Sequence, residues 1–526
     1  MPNRLTGALV GCCLGLPPLL AQPRIALLTV EYQQNAPPPW AVLCHCLPSE
    51  VSAEFLGRFL RLGEGDRLDS IALREDMLRL HASGALSRVR YQLDTLAADA
   101  IELRWQLVPR CRHVLAPELL LGSSVRSLGV LLRIASLWGA GEELTLGVRS
   151  RRELNLGTEA WFQLLFPLGE RFDLRACAQA HRYRTAYSVW LGSLPLQSPF
   201  HHWSGGAAWE QTVGQLWDVR RPSPELYARR AGQLRLWLSW GMQRRDALAV
   251  TLSSLMSSVR TDSGYRQPFD NTALLLLGIG SLRQRPNRLP SPEIWGDSCS
   301  VTTGAWGAVT LGLSFPRTAE GERGSYLAGE LEQSVAAQSF FLAGRIAAGN
   351  AFLRRQARYT VLETSVQGWV ALVPPLLLAW QGRHQNVWNW EAYRAERLDV
   401  LTGFPLPFPG PAADNLLELR TELRWRGSAL LPELGWTAVL FSHFGAVWNQ
   451  GTQLARVRFL RALGAGLWWH LGGQSTERWS LRAEVAFIPS LSRLVSRLWV
   501  ELGGTERRLH HYRFPRILGA PLTPAL

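Results

Sequence analysis

The chain has 526 residues and a formal net charge of +14, and all 56 of its basic residues are Arg. Those Arg residues are spread singly along alternating segments instead of lining one face, which argues against nucleic acid as a partner. The 23 Trp residues point to a surface that crosses a lipid–water boundary, although the core of a β-sandwich could also hold them.

Residues 1–21 read as a secretory signal: a charge at Arg4, a mostly apolar run from Leu5 to Leu20, and the small Ala21 before the cleavage point. Leu9-Val10-Gly11-Cys12 also has the form of a lipoprotein box, with a very short apolar stretch ahead of the Cys. Beyond it no uninterrupted apolar run of about 18 residues occurs, so no membrane-spanning helix is expected. The best candidate, residues 369–380, is short and carries Pro374-Pro375.

Cys12 and Cys13 lie in the signal, which leaves Cys44, Cys46, Cys111, Cys177 and Cys299. In a strand, Cys44 and Cys46 would point to one face and His45 to the other. No second ligand cluster lies nearby, so a metal site is not expected and the cysteines read as buried small residues. A disulfide among Cys44, Cys46 and Cys111 stays open.

Residues 22–39 read as a linker that ends in Pro37-Pro38-Pro39. A small α/β module is expected over 40–109. It begins with a strand at 40–46 and a helix at 51–62, where Val51, Phe55, Phe59 and Leu62 share a face. Gly63 and Gly65 stop that helix. Asp69 or Ser70 caps a second one, with Leu73, Met77 and Leu80 on one side and Gly84 at its end. Strands at 86–93 and 101–107 follow; in the latter Ile101, Leu103, Trp105 and Leu107 alternate with Glu102, Arg104 and Gln106.

From about residue 110 to 504 the chain turns into repeated strands. Leu417, Leu419, Leu423 and Trp425 alternate with Glu418, Arg420, Glu422 and Arg424, and the same period of two recurs at 172–181 and 479–487. Segments of about 9–12 residues suit tilted membrane strands. About sixteen such segments, some eleven before residue 401 and five after it, suit a closed transmembrane β-barrel. The apolar set would face lipid and the charged set a wet lumen. The first barrel strand is expected at 125–136 and the last at 494–503. Long loops at 218–227, 283–300 and 405–414 would be extracellular. The tail at 505–526 reads as a disordered extension; the other option is a final strand over 509–522, with Pro515 removing a ladder donor.

Three features carry a resemblance to the BamA/TamA superfamily of outer-membrane assembly and translocation proteins. The module at 40–109, with its helix over 69–83 and Gly84-Ala85-Leu86 before the next strand, resembles a single periplasmic POTRA domain. Leu401-Thr402-Gly403-Phe404 resembles the tip of the loop that this superfamily folds into its lumen, with Thr402 where the family has Arg. Phe441-Ser442-His443-Phe444-Gly445 resembles the inner-wall motif, with Phe441, His443 and Gly445 at its motif positions and His443 where the family has Asp. The family's loop-to-wall ion pair is therefore absent on both sides. With His443 neutral, neither departure leaves an unpaired buried charge.

The resemblance implies a lateral seam where the first and last strands meet, weakened here by Gly129, Gly503 and Gly504 and including Trp499. An incoming client strand would pair with the opened edge. The expected function is insertion or translocation of client proteins at the outer membrane, with the N-terminal domain in the periplasm. Expected partners are outer-membrane lipid, unfolded outer-membrane or secreted clients, and periplasmic chaperones or accessory lipoproteins. The alternative is a passive pore or transport barrel of the same ancestry. No Gly-x-Ser-x-Gly elbow, His-Glu-x-x-His or phosphate loop occurs, and His201-His202 and His510-His511 lack ordered acidic partners, so neither an enzyme nor a cofactor is expected.

Overall fold

The computed structural model describes residues 23–32, parts of 56–80, 86–109 apart from 98, the strands and some turns between 113 and 502, and residues 515–518. Within the N-terminal unit, β1 (Arg24–Tyr32), β2 (Leu86–Ala97) and β3 (Ala100–Pro109) form one sheet in the order β1-β3-β2. β1 runs parallel to the central β3, and β2 runs antiparallel to it. The expected linker is thus corrected: Arg24–Tyr32 is a strand. Ile25 is fully buried, and Leu28, Val30 and Tyr32 pack against the same core. The strand expected at 40–46, and Cys44, Cys46 and Cys111 with it, lie outside the described residues.

The period-two face of β3 is the core. Ile101, Leu103, Trp105 and Leu107 are all buried, with Leu56, Leu73 and Leu80 from the helical stretches packed on them. Leu60 donates its N–H to the Leu56 carbonyl and Leu73 donates to Asp69, the i to i−4 bonds of a helix. On the other face of β3, Thr29 Oγ1 and then Arg104 donate to Glu102 and hold its carboxyl below the usual range. The fully buried Asp76 accepts from the N–H groups of Arg61 (2.9 Å) and Leu62 (3.0 Å), tying the two helical stretches together. Asp76→Ala would leave both amides without that acceptor. The expected cost is about 2 kcal/mol, read as a lower urea concentration for proteolysis of this unit.

The rest of the chain closes into a barrel. Its strands are β4 (His113–Gly122), β5 (Arg126–Ala135), β6 (Glu143–Arg151), β7 (Gly157–Leu168), β8 (Phe172–His181), β9 (Arg184–Gly192), β10 (Trp203–Asp218), β11 (Glu225–Met242), β12 (Ala247–Thr261), β13 (Thr272–Pro290), β14 (Ser298–Pro316), β15 (Gly324–Ala337), β16 (Phe340–Leu353), β17 (Gln356–Val373) and β18 (Leu376–Trp388). The two-residue strands β19 (Glu396–Arg397) and β20 (Ala412–Ala413) pair only with each other. Then come β21 (Asn415–Arg426), β22 (Leu434–Trp448), β23 (Leu460–Leu471), β24 (Trp479–Ile488) and β25 (Arg493–Leu502). Neighbours pair antiparallel all the way round, and β25 returns to β4.

The barrel has twenty strands, where about sixteen were expected. The five after residue 401 are as read; the undercount falls before it. The first barrel strand is β4, and the segment expected to open the barrel is the second strand, β5. In β12 the lumen-facing set includes Thr251, Ser253 and Ser257, all buried and small, so its hydropathy alternates weakly. The expected loop at 283–300 is mostly strand: β13 and β14 pair from Thr272↔Pro316 down to Pro290↔Ser298.

Alternating direction fixes the two ends. β4 starts and β25 finishes at one end, here called proximal. The connections after β10 and β18 are therefore distal, whereas the turn between β13 and β14 is proximal. That turn was expected beside the other two long loops and lies at the opposite end.

Outward positions carry large apolar side chains, such as Leu128 at 65% exposure, Leu440 at 60% and Leu494 at 70%. An apolar belt of this extent, on a surface with every strand paired, is what lipid requires. No described helix is long and apolar enough to cross a membrane. Trp residues serve both sides: Trp203 and Trp425 face outward, while Trp306, Trp369 and Trp468 are buried on the inner side.

The last strand is β25, matching the favoured reading of 494–503. The tail differs from the expected disordered extension, because residues 515–518 are seated on the inner wall, with Ile517 and Leu518 buried. They form no strand.

Candidate functional site: the strand seam and the lumen wall beside it

The ladder between β4 and β25 is short. Arg497, Leu498, Trp499 and Val500 pair with Gly122, Leu121, Leu120 and Leu119, giving four residue pairs among the described residues. The neighbouring β4–β5 junction has nine and β24–β25 has ten. Backbone bonds hold strands together largely independently of sequence, so a ladder this short is the weakest line of the cylinder. Pro117 lies just past the paired stretch of β4 and has no N–H to extend it.

Of the residues expected at the seam, Trp499 is there, opposite Leu120. Gly129 is not: it sits in β5, between Glu118 of β4 and Arg149 of β6. Its role is also different. A Cβ on Gly129 would fall 2.5 Å from the Arg149 Cβ and 2.6 Å from the Val148 carbonyl oxygen. The bare backbone leaves room for Arg149 to reach over it to Glu118 at 2.6 Å, while Arg149 also meets Glu159 of β7, on its other side, at 2.6 Å. Gly129 thus packs an ion network that holds β4 to its other neighbours. Gly503 lies outside the described residues.

The inner-wall motif lies on β22, facing the lumen: Phe441 and His443 are buried, and Gly445 pairs with Glu418 and Leu460. His443 stands opposite Arg420 in the ladder, 5.3 Å from the Phe441 ring, and the Arg420 guanidinium lies 4.7 Å over that same ring. Leu401, Thr402, Gly403 and Phe404 lie outside the described residues. The base of their loop, β19 and β20, lies against β21 and β22.

The charged set of β21 faces inward, as the alternation predicts, and it is paired. Glu484 on β24 accepts from Arg420 Nη2 (2.7 Å), Arg497 Nη2 (3.2 Å) and Trp468 Nε1 (3.2 Å). Glu422 bridges Arg420 and Arg424. The Trp468 ring lies between the guanidinium groups of Arg424, at 4.8 Å, and Arg482, at 4.4 Å. Alternating charges and ring faces satisfy each guanidinium in a shielded lumen.

A feature that sequence reading missed completes this wall. The β13–β14 turn crosses the proximal lumen to β21–β24. The Ser291 carbonyl accepts from Arg426 (2.7 Å), the Pro292 carbonyl from Arg424 (3.4 Å), and the Glu293 carbonyl from Thr437 Oγ1. The Glu293 carboxylate meets Arg482 at 3.3 Å and His470 at 3.9 Å. Arg482 in turn lies 6.0 Å from the ring of the seam residue Trp499. The available signal was the acidic Glu293 within a Pro-rich turn, which carries no strand period.

No protein-family model matches the chain, and no curated protein matches it. Among solved structures, it is similar to CdiB from Acinetobacter baumannii at 11% identity and a TM-score of 0.48, over 92% of this chain and 74% of that one. It is similar to CdiB from Escherichia coli at 10% identity and a TM-score of 0.46, over 91% and 76%. It is also similar to BamA from Haemophilus ducreyi lacking POTRA domains 1–3, at 11% identity and a TM-score of 0.40, over 90% and 84%. Identities of this size say nothing of activity.

Glu484 has its side chain only 2% exposed and serves two guanidinium groups and an indole. Glu484→Gln removes the charge and leaves Arg420 and Arg497 facing each other. The barrel should lose about 3 kcal/mol, seen as a lower temperature of conversion to the slow-migrating form on a semi-native gel. An unchanged conversion temperature would remove the network from the account.

Proposed function

We propose that this chain is an outer-membrane barrel that assists insertion or translocation of client proteins, working through the junction between β4 and β25. The observation that carries this reading is the four-pair ladder at the one place where the first and last strands meet. Every other junction is a hairpin or loop-connected neighbour with a longer ladder, so thermal opening concentrates there. An opened β4 presents a row of N–H and C=O groups to any extended segment, and strand addition then proceeds without a defined client sequence. The apolar belt supports residence in a bilayer. The proximal end, where the N-terminal unit joins, would face the periplasm, and the three-stranded unit would act as a POTRA-like receiver of clients. Outer-membrane lipid and unfolded clients are the partners this mechanism requires; periplasmic chaperones or accessory lipoproteins would deliver them.

Two experiments test it. Depletion in the native host should lower the levels of other outer-membrane barrels or of secreted clients; unchanged levels would overturn the assembly role and leave a passive pore. Separately, Leu120→Cys with Trp499→Cys places two thiols at directly opposed positions, within reach of a disulfide. Oxidation should abolish complementation of the depleted strain, and reduction should restore it, with folding followed by heat-modifiable gel mobility. Full complementation by the cross-linked barrel would exclude seam opening.

A further inference from the structure

The inner wall of β15–β17 holds a segment from near the C-terminus, residues 515–518. The Pro515 carbonyl accepts from Arg235 of β11. Arg516 makes a bidentate fork on Glu330 of β15, with Nε to Oε1 at 2.9 Å and Nη2 to Oε2 at 2.7 Å, and lies 3.8 Å from Glu363 of β17. Arg345 of β16 braces both carboxylates, at 3.0 and 3.3 Å. At Leu518 both backbone groups are taken: its N–H donates to Tyr326 Oη and its carbonyl accepts from Tyr359 Oη, each at 2.8 Å. Ile517 and Leu518 are 4% and 1% exposed, in a pocket closed by Phe269, Ala347 and Ala351. A Cβ on Gly349 would come within 3.3 Å of Leu518 Cδ1, so the floor is shaped to the occupant.

These contacts have the form of peptide recognition. A planar carboxylate fork selects Arg over Lys. Two hydroxyls read the backbone of the residue two places on, whatever its side chain. An apolar pocket takes the aliphatic pair. Buried hydroxyls and a carboxylate of this kind are costly to leave empty in an apolar wall. Covalent attachment keeps the segment near the wall at an effective concentration of the order of millimolar.

We propose that the wall of Tyr326, Glu330 and Tyr359 is a peptide-binding site inside the lumen, with the segment Arg516-Ile517-Leu518 as its tethered resident ligand. Its ligand class is an extended segment with an arginine followed by two aliphatic residues. Displacement of the tail by such a segment of an incoming client rests on the proposed function; occupancy by the tail does not.

The test uses purified barrel in detergent and a fluorescent peptide of residues 511–522, read by anisotropy. The full chain with Arg516→Glu should bind the peptide at least tenfold more tightly than wild type, because its own tail no longer competes. The same holds for a chain ending at residue 502. Adding Glu330→Gln to either should weaken peptide binding about tenfold, the loss of one charge-assisted fork. A peptide carrying the Arg516→Glu change should not bind those chains. Heat-modifiable mobility confirms that each variant is folded. Equal peptide affinity for wild type and Arg516→Glu, or equal binding of both peptides, overturns the proposal. No client takes part, so failure here is separable from failure of the assembly reading.

Discussion

The constraint on which this structure depends is that a strand in hydrocarbon cannot leave its backbone unpaired. Each of the twenty barrel strands, β4–β18 and β21–β25, meets that constraint by pairing on both sides, and the cylinder closes. The cost of an open edge is highest in the apolar belt, where no water reaches the N–H and C=O groups. The β4–β25 junction is where closure is thinnest: among the described residues four pairs bridge it, and Pro117 cannot donate beyond them. The same rule that forces the barrel shut thus makes this junction the one that the proposed function would open, because its ladder is the shortest among the described residues.

Around that junction the lumen is built from Arg, Glu and Trp. On the β5–β7 side, Arg149 spans Gly129 to bind Glu118 and also binds Glu159 beside it on β7. On the β21–β24 side, Glu484 and Glu422 hold Arg420, Arg424 and Arg497, with Trp468 stacked among them. The two strands at the seam are therefore each tied to strands on their far side by an ion pair, Glu118 of β4 to Arg149 of β6 and Arg497 of β25 to Glu484 of β24. The β13–β14 turn adds a brace from another part of the circumference, reaching Arg482 and, through it, the Trp499 ring.

Much of this was legible in the sequence where alternation is strong. The core face of β3, the inward charges of β21, the five strands after residue 401 and the position of β25 all follow from a period of two. Legibility failed where that signal fades. β12 presents small hydroxyl residues inward, so its two faces differ little in hydropathy. β1 lies beside a Pro-rich stretch and was read with it. Pro117 interrupts the pattern of β4, so the period of two does not mark the true seam partner. Gly129 was read as a weak point since glycine lowers strand propensity, yet only the structure shows the Arg149 side chain passing over it. The buried tail residues and the β13–β14 turn carry no periodicity, and their contacts join positions far apart in the chain, such as Arg516 with Glu330. Spacing cannot reveal such pairs.

The central claim is that the cylinder opens between β4 and β25 and nowhere else with comparable ease. Hydrogen–deuterium exchange of the folded protein in lipid nanodiscs measures this directly, since amide protection reports the free energy of local opening. Amides of residues 119–122 and 497–500 should exchange more than tenfold faster than those paired across β21 and β22. Equal protection at the two junctions would contradict the account.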